Sequence, residues 1–275
     1  MLPEEVEIKL GDSRFVFRPK IDGLWYFDYS LAEPGVEKVI RENLKKGYTF
    51  VDVGAHIGYY SILARNIVGE CGKVVAFEPN PKSYNMLKKN IELNGFKNCI
   101  PENLSLSDVS GVFKLYIGKY AEDSSSLFQA DEVDEDEYVN INAITFDEYS
   151  ELHGIVPDLV KIDAEGAEYK VLRGMRKTID AYRPSLVIEV HPRHLEKQGI
   201  SLDLLFQFLR DAGYEIYLVK EYGAEATSID ELVDACNKGR KNKYGTLINQ
   251  HILCKVLRND GQSARHSRGC RQSSK

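Results

Sequence analysis

Two stretches of this chain put acids where chemistry could use them. In DLVKIDAEGAE, residues 158–168, Lys161 and Asp163 lie two apart and so share one face of a strand. Glu165 and Glu168 follow at the start of the next helix. In SLVIEVHP, residues 185–192, Glu189 and His191 repeat the two-residue spacing. Carboxylates at strand ends can take a proton from a hydroxyl or ligate a cation. His191 adds a side chain whose ordinary pKa lies near neutrality, which suits a general base. With Asp163 and Glu165 it also makes a candidate divalent-metal cluster. Each residue has a plainer reading. An acid at a helix start, such as Glu168, can be only a dipole or capping partner. A histidine at a loop junction can simply be hydrogen-bonded.

A second signal lies upstream, in YTFVDVGAHIGYYSIL, residues 48–63. An apolar run ends in Asp52, a small-residue turn follows with Gly54 and Gly58, and the spacing then becomes helical. Gly54 can take a positive φ and lets a ligand approach the backbone. The spacing is not GxGxxG, which counts against a dinucleotide, nor GxxxxGK[ST], which counts against a nucleoside triphosphate. Glu78 ends the next strand, where an acid can accept from both hydroxyls of a ribose. That contact suits NAD and S-adenosylmethionine alike; the plain alternative is an acid beside the next helix. Asp52 either holds the turn or meets a cofactor amino group. Asp108, with Ser107 beside it, either accepts from an adenine amine or satisfies the turn before Gly111.

The surrounding pattern says what must position these residues. VEIKLGD and RFVFRP alternate as strands around a turn at Gly11 and Asp12, and Pro34 opens a helix over 34–46 that ends at Gly47. From Tyr48 strands and helices alternate: strands at 49–53, 73–78, within KNCIPENLSLS, at 111–118 as an addition, at 158–163 and at 185–192. Helices are expected over 58–68, from Pro79 to about Asn94, over 166–174, and in LDLLFQFLRDAG. GYEIYLVKE and TLINQHILCKV are expected to pair as a terminal hairpin. Repeated strand–helix units predict an α/β fold with a mostly parallel sheet covered on both faces. Three parts follow: strands and a helix in 1–47, a cofactor-binding domain over 48–257, and a basic, apolar-poor tail over 258–275. The aromatic run GLWYFDYSL could cover an edge, line a cleft or stack on sugar faces. The polar interruption 119–137 reads as a mobile loop.

A formal charge of −6 disfavours nonspecific binding to nucleic acid or acidic membrane. No apolar run reaches the ~18 residues a membrane span needs. Five cysteines without a CxxC pair read as incidental thiols in a reducing compartment, and the start of the chain has no signal-peptide pattern, so a cytoplasmic protein is expected.

VDVGAHIGYYS, FEPNPKSYNMLKKNI, NLSLSD, VKIDAEGAE and IEVHP, in that order, resemble the FkbM family of S-adenosylmethionine-dependent methyltransferases over roughly residues 31–220. The resemblance implies a Rossmann-like class I methyltransferase fold with a seven-stranded sheet, and O-methylation of hydroxyls on sugars or other small molecules. It places Asp52, Gly54, Ala55, His56 and Gly58 on the cofactor motif, Glu78 on the ribose and Ser107 and Asp108 on the adenine side. Asp163 and Glu165 fall on its KxDxEGxE word, where catalytic groups are expected, and Lys161, a further catalytic candidate, and Glu168 complete that word. The acidic insert DEVDEDE is not part of the resemblance. An alcohol must lose its proton to attack the methyl group, so Asp163, or His191 with it, is the expected base. A Mg²⁺-assisted version is conceivable but less favoured, and no metal ligands are assigned. The rival readings are an NAD-dependent oxidoreductase and a non-catalytic protein on a retained methyltransferase fold. The acceptor's identity and the oligomeric state are not legible.

Overall fold

The computed structural model describes residues 3–22, 33–116, 138–241 and 247–256. The expectations for 23–31, 119–137 and 258–275 lie outside them. In chain order the elements begin with a hairpin, β1 (Val6–Leu10) and β2 (Ser13–Phe17), and helix α1 (Pro34–Asn43). Then come β3 (Thr49–Val53), α2 (Tyr59–Val68), β4 (Lys73–Phe77), α3 (Pro81–Leu93), β5 (Cys99–Glu102), β6 (Ser105–Leu106), β7 (Gly111–Tyr116) and β8 (Tyr138–Ile144). The rest is α4 (Phe146–His153), β9 (Leu159–Ile162), α5 (Glu168–Gly174), α6 (Arg176–Tyr182), β10 (Ser185–Val190), α7 (Pro192–Lys197) and α8 (Leu202–Asp211). It closes with β11 (Glu215–Lys220), β12 (Gly223–Ala226), α9 (Ile229–Lys238), β13 (Arg240–Lys241), β14 (Leu247–Ile248) and β15 (Gln250–Lys255).

The helix boundaries follow local chemistry. Pro34 and Pro81 occupy first-turn positions, where a missing N–H costs nothing, and the Asn80 side chain accepts from Lys82 N at 3.0 Å. Helix α1 stops at Asn43, short of the expected 46, because Leu44 is already extended.

The main sheet runs β12-β11-β15-β10-β9-β3-β4-β5. Five neighbours, β5-β4-β3-β9-β10, are parallel and reverse their order between β3 and β9, which is the doubly wound switch point. The sheet has eight strands rather than the expected seven, because β12 folds back on β11 through the two-residue turn at Glu221 and Tyr222. The last pair is not a simple hairpin either: β15 enters antiparallel between β10 and β11, and α9 lies on the route between β11 and β15. KNCIPENLSLS supplies two strands. β5 stays in the main sheet, while β6 leaves it to pair with β8, which also carries the added strand β7.

The pleat divides the core into two layers. Val51, Val53, Val160, Ile162 and Ile188 face α4 to α9. Phe50, Leu159 and Val187, the alternate residues, face α1, α2, α3 and the N-terminal hairpin, whose Phe15 and Phe17 are fully buried. The hairpin is tied down by Asn90, a buried side chain on α3. Its Oδ1 accepts from Val16 N at 2.7 Å, and its Nδ2 donates to the carbonyls of Val16 and Ile57 at 2.9 Å each. Cys99, Cys236 and Cys254 are buried free thiols; Cys71 is disulfide-bonded, which the reading of incidental thiols did not foresee.

Removing the Asn90 side chain strands three buried backbone groups. Asn90→Ala should therefore cost about 2–4 kcal/mol in urea unfolding. A loss below about 0.5 kcal/mol would mean that the hairpin does not depend on this clamp.

Candidate active site

The glycine turn is set by close backbone contacts. Gly54 holds φ 73, and a Cβ there would lie 1.8 Å from the carbonyl oxygen of Asp163. The exits of β3 and β9 thus touch through backbone alone. Gly58 holds φ 93 at the start of α2, where a Cβ would meet Leu87 Cδ1 at 2.6 Å. Glu78, at the end of β4, spends both oxygens on this turn's surroundings: Oε2 accepts from His56 N and Oε1 from Asn80 N, each at 2.8 Å. Burial pushes its carboxyl up to about 7 against these two amides. Asp52 accepts from Ser61 Oγ at 2.6 Å, while its buried Oδ1 has no hydrogen-bond partner. Burial raises its pKa, opposed by the nearby Lys161 charge.

A row of polar side chains crosses the sheet on the α1–α2 face. Asp52 on β3 stands in register with Lys161 on β9, and Glu189 on β10 with His251 on β15. Lys161 is buried, with Nζ 3.0 Å from Asp163 Oδ2 and 5.1 Å from the centre of the Tyr60 ring. Burial opposes its charge, but Asp163, Asp52, Glu189 and Glu33 together outweigh it and hold the ammonium charged. Asp163 is pushed up to about 7 by burial and by Glu189, against the pull of Lys161 and His191.

His191 lies just past β10, between carboxylates. Its Nδ1 is 2.8 Å from Glu168 Oε1, a fully buried side chain whose Oε1 also accepts from Gly166 N. Its Nε2 is 3.3 Å from Glu165 and 3.8 Å from Glu189. Burial works against the imidazolium, but Glu165 and Glu168 raise its pKa well above the ordinary value. The carboxylates thus favour the imidazolium over the neutral ring that the expected base role would need. Glu165 reaches it from a backbone with φ 47, a region uncommon for any residue but glycine. Glu189 is held strongly acidic: burial opposes its charge, but His251, at 3.3 Å, and His191 prevail. His251 is also 3.6 Å from Glu33, which accepts from Tyr60 Oη at 2.8 Å.

The structure thus brings together Lys161, Asp163, Glu165 and His191, and links the turn of Gly54, Ala55 and His56 to Glu78. Ala55 N joins Gly54 N in donating to the Phe77 carbonyl. Ser107 and Asp108 have neighbours of their own: Asp108 pairs with Arg173 at 3.2 Å, and a Cβ on Gly174 would strike the Ser107 carbonyl at 2.0 Å. Sequence reasoning missed Glu33, Tyr60 and His251. His251 left one trace, an imidazole inside the otherwise apolar HILC strand; Glu33 left none. Donor atoms of two trios, Asp163–Glu189–His191 and Glu33–Glu189–His251, lie within 4.8 Å of one another and could hold a cation. Lys161 already supplies positive charge to the first. Beside this turn Asp52 Oδ1 has no hydrogen-bond partner and Glu78 already accepts from two amides, so these are the carboxylates that could meet amine and ribose donors of S-adenosylmethionine.

A doubly wound sheet with this turn at its switch point fits the S-adenosylmethionine-dependent methyltransferases. Residues 52–216 match the methyltransferase FkbM domain, and the chain belongs to that family. It is a methyltransferase that uses S-adenosylmethionine, and the nicotinamide reading is set aside. It is similar to the hexuronic acid methyltransferase AglP of Haloferax volcanii, at 26% identity over 69% of this chain and 74% of that one. The crystal structure of methyltransferase FkbM from Methylobacillus flagellatus overlaps 75% of this chain, at TM-score 0.47 and 17% identity; the chain spans 43% of that structure's length. An S-adenosylmethionine-dependent methyltransferase from Agrobacterium tumefaciens overlaps 94% of this chain and 72% of its own, at TM-score 0.47 and 12% identity. These structural likenesses are loose, and the fold is read from the strand order. Among the described residues no helix is long and apolar enough to cross a membrane.

Gly54→Ala would force a methyl group into the Asp163 carbonyl and strain the turn. It should weaken S-adenosylhomocysteine binding at least about tenfold by calorimetry. Unchanged affinity would show that the turn does not form the cofactor floor.

Proposed function

We propose that this protein moves the methyl group of S-adenosylmethionine to a hydroxyl of a sugar-containing or other small-molecule acceptor, with Asp163 as the base. The observation that carries the reading is the position of Asp163. It is a carboxylate with 27% of its side chain exposed, its own carbonyl lies against the Gly54 turn, and its Oδ2 contacts Lys161. Bound at that turn, S-adenosylmethionine supplies an electrophilic methyl group and leaves as S-adenosylhomocysteine. Asp163 takes the hydroxyl proton as the new C–O bond forms. Lys161 and His191 supply fixed positive charge beside it, and Glu168 holds His191 through Nδ1. Glu78 and Asp52 hold the cofactor side. The similarity to a hexuronic acid methyltransferase supports a sugar hydroxyl as acceptor. The intact acids favour catalysis over a cofactor-binding scaffold.

A base must be deprotonated to work. Since burial and Glu189 push Asp163 up to about 7, kcat/KM should climb as pH rises through that value. Asp163→Asn should lower kcat about 100-fold or more and leave S-adenosylhomocysteine affinity within about twofold. A variant with full kcat/KM on its acceptor, or a flat wild-type profile between about pH 5 and 8, removes Asp163 from the role.

A further inference from the structure

The acid loop between β9 and α5 has a strained backbone. Glu165 and Gly166 stand at φ 47 and φ 98, two successive residues in the left-handed region. Such a backbone persists only where its neighbours over-determine it. At the start of the loop the neighbour is β3: Asp163 N donates to the Val53 carbonyl at 3.0 Å, and the Asp163 carbonyl lies against Gly54.

Further along, the neighbour is α7. A Cβ on Gly166 would lie 2.4 Å from His194 Cβ, so the loop backbone rests directly on that helix. Gln198, the residue that ends α7, closes the contact. Its Nε2 donates to the Gly166 carbonyl at 2.8 Å and to the His194 carbonyl at 2.9 Å. One side-chain amide thus ties the loop to the helix that His191 begins.

Both sides of this tie lead to the charged site. Gly166 N donates to Glu168 Oε1 at 2.8 Å, and the same oxygen is 2.8 Å from His191 Nδ1. Ala167 N donates to the Ala164 carbonyl at 3.0 Å, so the loop is closed as one turn. On the helix side, the His191 and His194 rings lie parallel with centres 5.7 Å apart. We infer that Gln198 is a positioning residue for methyl transfer, fixing from α7 the loop that carries Asp163 and Glu168. This rests on the methyl-transfer reading above. Gln198 acts through the Gly166 backbone, and a shift of about 1 Å in a positioned group can cost about 100-fold in rate.

The test compares the full chain with two variants. Gln198→Met keeps the length of the side chain and removes its donor; Gln198→Lys restores a donor. The first readout needs no acceptor. With S-adenosylhomocysteine bound, NMR of ¹⁵N-labelled histidine follows the His191 ring. Gln198→Met should shift the His191 signals, and Gln198→Lys should return them toward the wild type. The second readout is methyl transfer from labelled S-adenosylmethionine to phenyl β-D-glucopyranoside and phenyl β-D-glucuronide. On whichever is methylated, Gln198→Met should lower kcat about tenfold or more and leave KM for S-adenosylmethionine within about twofold. Its thermal midpoint should stay within about 4 °C of the wild type. His191 signals that do not move in Gln198→Met overturn the inference, and so does a kcat within about twofold of the wild type. A loss that Gln198→Lys does not reverse, with both variants melting well below the wild type, assigns Gln198 to stability alone and also overturns it. If wild-type protein holds S-adenosylhomocysteine and methylates neither glycoside, the sugar-hydroxyl reading fails instead, and the His191 signals still decide whether Gln198 sets the loop.

Discussion

The contact between Gly54 and the Asp163 carbonyl is the constraint on which the site depends. It lies at the switch point of the sheet, where β3 and β9 are neighbours and the chain order reverses. No side chain fits between the two exits. The glycine turn and the acid loop are thereby held at backbone distance, and a group bound at one is within reach of side chains on the other. Glu78 extends the same lock to β4 by accepting from His56 N and Asn80 N.

Charge is the second constraint. Lys161 and His191 are buried, and burial alone would strip their protons. They stay charged because carboxylates stand within contact distance on several sides. Glu189 stays ionised for the mirror-image reason. Asp163 feels Glu189 and Glu165 as well as Lys161 and His191, so its proton affinity is left near neutrality. One cluster thus holds buried cations, an anion whose pKa is lowered and, in Asp163, a carboxyl pushed up to about 7.

Much of this was legible in the chain itself. The strand–helix alternation and the small-residue turn were readable from periodicity and glycine placement. Lys161, Asp163, Glu165, Glu189 and His191 were readable because acids at the ends of apolar strands are conspicuous. Other features were not. A seven-stranded sheet missed β12, since a two-residue turn at Glu221 and Tyr222 has no strong signature. KNCIPENLSLS reads as one strand, although β6 is captured by β8 from far along the chain. Glu168 could be read as a mere helix cap, and it is the buried partner of His191.

The sequence by itself determined which chemical groups are present and which elements carry them, because residue type and local spacing are properties of short segments. The tertiary structure alone decided their partners. The β10–β15 register sets His251 opposite Glu189, and α1 packing brings Glu33 to His251. Those contacts join residues distant in the chain, and they determine which cations are buried, which acids face outward and where Asp163 titrates.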